Sequence, residues 1–184
     1  MTRRLFIAIP FPTEIITALH ALQDGVTKAR WLPEQQIHLT LSFLGDVDES
    51  CVPPLQKELI RVHLPPFPLT VNGTGAFPPR GLPRVLWAGL SPSPPLLSLA
   101  RQVEERVAAA GLPREPRPYS PHITLARLIS ADPVEVRHYL DKHRSFALPP
   151  FPVDRFILYA SQLTPKGAIH TALATYSLTA EEQP

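Results

Sequence analysis

The chain has 184 residues, of which 44% are hydrophobic, and a formal net charge of +2 at pH 7. Those values exclude global disorder, which needs low hydrophobicity and high net charge, and they suit one domain or one domain built from two similar lobes. So small a net charge neither demands nor excludes a nucleic-acid partner, and the single cysteine, Cys51, excludes an internal disulfide and argues against a cysteine-based zinc site.

The chain opens on "RLFIAIPF", a short apolar run that reads as a buried strand. Pro10 and Pro12 break the run too early for a signal peptide, and no later run approaches the ~20 apolar residues of a membrane span. A cytoplasmic protein is therefore expected. In residues 13 to 29, Ile15, Ile16, Leu19, Leu22 and Val26 recur at helical spacing, with Thr13 as expected N-cap. "QIHLTLSFLG" is the next strand, expected to close at Gly45. A helix over residues 51 to 62 comes next, capped by Asp48 or Ser50. Then come the strands "PLTVNGTGAF" and "RVLWAGL" and a helix over residues 95 to 110, which stops before Gly111 and Pro113. "HITLARLI" is a strand, and "DPVEVRHYLDKH" a helix with Asp132 as N-cap and Pro133 at its first position. Two strands, "PVDRFILYASQL" and "IHTALATYSL", end the chain. The 24 prolines cluster between these segments, "LPPFP" occurring twice, and read as stiff loops and strand entrances.

The order is nearly one unit written twice: strand, helix, strand with His-x-Thr, helix, strand. It predicts an α+β protein, a single bilobal domain over residues 1–184. Two sheets face a central cleft, with helices on the outer faces. Each His-x-Thr lies in a strand, where residues i and i+2 share a face. His38, Thr40 and Ser42 are then expected on one face, with Leu39, Leu41 and Phe43 opposite in a core. His122 and Thr124 share a face, with Ile123 and Leu125 behind them.

Two such faces across a cleft suit phosphodiester hydrolysis. One imidazole takes a proton from water and the other gives one to the leaving oxygen. The two hydroxyls donate to non-bridging oxygens. Arg127 falls on the wrong face by strict alternation, unless a strand end or a bulge turns it. Residue types alone do not say which histidine is acid and which is base.

"RWLPEQQIHLTLSFLGDV" and "PHITLAR", with "RLFIAI", "RVLWAGL" and "LYASQLTPKGAIHTALATYSL", resemble the 2H phosphoesterase superfamily. Within it they resemble the LigT/ThpR-type RNA 2',3'-cyclic phosphodiesterases, sometimes labelled 2'-5' RNA ligases. The resemblance implies opening of a cyclic phosphate at an RNA 3' end to a 2'-phosphomonoester, without metal or cofactor. It implies that His38 is proton donor and His122 proton acceptor, that Thr40 and Thr124 hold the phosphate, and that Arg127 binds and neutralises it. The alternatives are a phosphodiesterase on small cyclic nucleotides or 2'-5' oligonucleotides, and a non-catalytic RNA-end-binding module. Ligase activity in vitro would be a related cleavage run in reverse.

His170 departs from the family's frequent Tyr in "GAxY" and is expected to be an exposed strand residue, with a place in the cleft lining as the alternative. Trp31 is expected in the core, with stacking on a terminal base as the alternative. His20, His63, His138 and His143 lack metal-ligand spacing and read as surface or rim residues. Arg3, Arg4, Arg30, Arg80, Arg84, Arg114 and Arg117 are candidates for a basic rim. A monomer is expected, because a two-lobed cleft needs no partner.

Overall fold

A computed structural model describes residues 1–165 and 167–179. Its strands are β1 (Thr2–Ile9), β2 (Ala29–Trp31), β3 (Leu39–Asp48), β4 (Phe67–Leu69), β5 (Val71–Phe77), β6 (Val85–Leu90), β7 (Ile123–Leu128), β8 (Phe151–Val153), β9 (Arg155–Thr164) and β10 (Gly167–Ser177). The helices are α1 (Thr13–His20), α2 (Val52–Leu59), α3 (Pro94–Ala109) and α4 (Pro133–Lys142).

The strands form two four-stranded sheets, ordered β10-β9-β1-β3 and β2-β7-β6-β5, and one short β4-β8 pair. All observed pairings are antiparallel. The α+β class with two sheets, expected from the element order, is the class observed. Their composition is less simple than one sheet per repeat. The first sheet takes β1 and β3 from the first half of the chain and β9 and β10 from the second. The second sheet takes β2 and β5 from the first repeat unit and β6 and β7 from the second unit, which begins at β6. The two "LPPFP" segments are the junction. Pro68 in β4 pairs with Pro152 in β8, 84 positions on, the offset that also separates His38 from His122. The internal two-fold relation therefore passes between two copies of the same proline.

Several expected boundaries shift. The first helix spans Thr13–His20 only, with Pro12 as N-cap and Thr13 already inside. Gly25, at φ +82°, and Lys28, at φ +59°, cannot continue a helix, although Leu22 and Val26 still reach the core. Gly45 does not close β3. Its φ of +68° serves a bulge, and the strand runs on to Asp48. Asp48 does cap the turn before α2, accepting from the Ser50 amide. Asp132 caps α4 by accepting from Val134 N, and Ser93 caps α3.

The apolar faces of the two motif strands share one core. Leu39, Leu41, Ile123 and Leu125 are buried in a cluster with Leu96, Leu99 and Val103 of α3. Behind the second sheet, Val136 and Tyr139 of α4 pack on Leu86, Ala126 and Leu128. On the opposite side of that sheet Gly75, Trp87 and Thr124 stand in cross-strand register. A Cβ at Gly75 would stand inside the Trp87 indole. Gly75→Ala should therefore lower stability by about 1–3 kcal/mol, seen as a lower urea midpoint with an unchanged m-value.

Candidate active site

Both motif strands carry a bulge at the same place. In β3, Ala8 pairs with Thr40 and Ile7 with Ser42, leaving Leu41 unpaired. In β7, Trp87 pairs with Thr124 and Leu86 with Ala126, leaving Leu125 unpaired. One extra residue reverses the inward–outward phase beyond it. Ser42 is consequently buried rather than beside Thr40, and Phe43, expected in the core, is 49% exposed on the cleft. Arg127 stands at the position equivalent to Phe43, and the same device brings it to the face of His122 and Thr124.

The cleft between the sheets has a volume of about 720 Å³. His38, Thr40, His122, Thr124 and Arg127 all line it, so the five expected site residues are brought together. Among the described residues its lining contains no carboxylate and no thiol, but adds Arg4, Arg30 and His170. Of the expected basic rim, only Arg4 and Arg30 border this cleft. Arg3 pairs with Glu49 and Arg117 with Glu115. Arg4 lies over the Phe43 ring, 5.0 Å from its centroid, and 3.9 Å from Asp46.

Each catalytic-type imidazole is held by the backbone two residues before it. His122 Nδ1 is 2.8 Å from the Ser120 carbonyl, which accepts from it and leaves Nε2 as the free ring nitrogen. The Gln36 backbone hydrogen-bonds His38 and favours its charged form. Tyr119 ties the two motifs, its hydroxyl donating to the Thr40 carbonyl over 3.0 Å, and burial raises its pKa.

The surroundings of the two rings differ. His122 meets the edge of Phe77 at 5.0 Å. His38 stacks on Phe6 at 4.8 Å, and Phe6 stacks on Tyr159 at 5.0 Å. His170 stands edge-on to His38 at 5.5 Å. The expectation of an exposed His170 fails: β10 folds back on β9, placing His170 opposite Ser161 and over Phe6. Burial pulls His38 down to about 4, His170 adds to the fall, and the Gln36 hydrogen bond opposes it. Burial also lowers His170. Trp31 is half-buried against Tyr139 at 5.8 Å, where it joins the two apolar clusters and borders the cleft. His20, His63 and His138 are exposed, and His143 leans on Tyr139.

Sequence reasoning missed Tyr119 and the Phe6 stack, because neither belongs to a motif and both contacts join residues far apart in the chain.

A family model described as LigT like Phosphoesterase matches residues 9–87 and again 90–170, one match for each half of the chain. The RNA 2',3'-cyclic phosphodiesterase of Thermus thermophilus is 38% identical, over 97% of this chain and 91% of that one. The enzyme of that name from Archaeoglobus fulgidus is 32% identical, over 94% and 99%. The crystal structure of Escherichia coli LigT with 3'-AMP superposes with a TM-score of 0.77 at 30% identity, covering 97% of this chain and 99% of that one. The chain belongs to the LigT-like phosphoesterase family.

The contact between His38 and His170 has a direct readout. In a ring-resolved NMR titration His38 should change charge near pH 4. Removing a neighbouring like charge favours the protonated form, so His170→Phe should move the His38 midpoint upward.

Proposed function

We propose that this protein hydrolyses the 2',3'-cyclic phosphate at an RNA 3' end, without metal, to a 2'-phosphomonoester. The observation that carries the reading is the bulged pair of His-x-Thr faces on one cleft, without a carboxylate among its described lining residues. The shared activity name of relatives matched over nearly the whole chain supports it.

Thr40 and Thr124 hydroxyls and the Arg127 guanidinium hold the non-bridging oxygens. His122 Nε2 takes a proton from water as that water's oxygen bonds to phosphorus. The P–O3' bond breaks, and His38 delivers a proton to O3'. The P–O2' bond is kept, so the 2'-phosphate results from which oxygen faces His38. His122 then loses its proton to solvent, and His38 regains one.

A proton donor held near 4 in the free protein is mostly neutral at pH 7. The anionic phosphodiester beside it favours the charged ring, so substrate binding and proton uptake by His38 are one linked event. No helix among the described residues is long and apolar enough to cross a membrane. The unpaired thiol of Cys51 suits the reducing cytoplasm that this reading assigns to the protein.

A short RNA ending in a 2',3'-cyclic phosphate, incubated with the protein in excess EDTA, should yield the 2'-phosphate. His38→Ala and His122→Ala should each lose at least about 10² in kcat. RNA binding without turnover by the wild type would instead identify an end-binding module.

A further inference from the structure

Arg30 lies in β2, the edge strand of the second sheet, directly opposite Arg127 in β7. Opposed residues share a face with Cβ atoms about 4.5–5.5 Å apart, and like charges placed so are destabilising. Both side chains are exposed, and both border the cleft. Among the described residues neither has a carboxylate within ion-pair distance, although eight other arginines do. The fold thus keeps an uncompensated pair of guanidiniums facing the space where an anion is bound.

One of the two already has a role in the proposed reaction. Arg127 reaches the reacting phosphate through the bulge at Leu125. Arg30 stands one strand further out, about 4.8 Å away in the sheet. Its Nη2 is 3.8 Å from where a Cβ on Gly167 would be, at the turn between β9 and β10, and Gln36 Nε2 is 3.1 Å from the same point. Arg30 therefore reaches from the edge of one sheet toward the hairpin of the other, at the rim of the cleft rather than at the histidines. A planar fork there suits the bidentate recognition of a second oxyanion.

We propose that Arg30 binds the internucleotide phosphate preceding the terminal nucleotide, so that the cleft selects oligonucleotide ends over cyclic mononucleotides. The inference rests on the phosphodiesterase reading and adds the length of substrate that the site recognises.

The test compares a short RNA ending in a 2',3'-cyclic phosphate with a 2',3'-cyclic mononucleotide. Arg30→Ala should lower kcat/KM for the oligonucleotide at least about ten-fold, mainly through KM, and leave the mononucleotide unchanged. Arg30→Lys should recover part of the loss. Arg127→Ala should lower both. The slope of log affinity for RNA against log salt should become shallower by about 0.7 in Arg30→Ala. Its melting temperature should stay level or rise, since a repulsive pair is removed. Equal losses on both substrates, or no loss on either, would overturn the proposal while leaving the phosphodiesterase reading intact. Turnover of neither substrate by the wild type would overturn both.

Discussion

A single unpaired leucine after each threonine, Leu41 in β3 and Leu125 in β7, sets the phase of the remaining strand and so the composition of the cleft. Without it, period-two alternation would bury Phe43 and turn Arg127 away from the face of His122. With it, each strand presents three functional positions to the cleft, and still closes the core with Leu39 and Leu41 or Ile123 and Leu125. The bulges are local, cost little of the ladder, and lie where the pairing partner is the first strand of a unit, β1 or β6. The site is thus built by the sheets rather than by loops, which holds its groups on rigid elements.

Near-symmetry poses a chemical problem. Two equivalent imidazoles cannot divide acid and base roles unless their surroundings differ. Here the difference lies outside the motifs. His122 borders a phenyl ring, whereas His38 is enclosed by a stacked Phe6 and a second imidazole. An anion entering the cleft offsets that enclosure, because His38 then gains the counter-charge that its burial withholds. Arginine is distributed asymmetrically as well. The position taken by Arg127 in one strand is Phe43 in the other, and Arg4 covers that ring from the neighbouring strand.

The histidine and threonine faces were legible because alternating apolar residues on both sides defined their phase. The helices at 94–109 and 133–142 were legible from their proline entrances and caps. The exposure of Phe43 is not legible, because a bulge leaves no mark in composition: "HLTLSF" reads the same with or without one. The end of the first helix is not legible, because Leu22 and Val26 keep its period through turns that Gly25 enforces. Strands of three residues, "ARW" and the two copies of "FP", carry too little pattern to be seen. The enclosure of His170 leaves no local signal, because its ring neighbours Phe6, His38 and Tyr159 come from distant segments of the chain.

The exchange of strands between the halves bears on how the molecule comes apart. Each sheet holds two strands from each repeat unit, so neither unit contains a complete sheet. A fragment cut between β5 and β6 would expose unpaired edges on both sides and could not bury Leu39 and Leu41 against α3. The two lobes look separable across their cleft, yet loss of either sheet strips strands from both halves. Melting should therefore be a single cooperative event rather than two, and the histidine of one lobe should not outlast the histidine of the other.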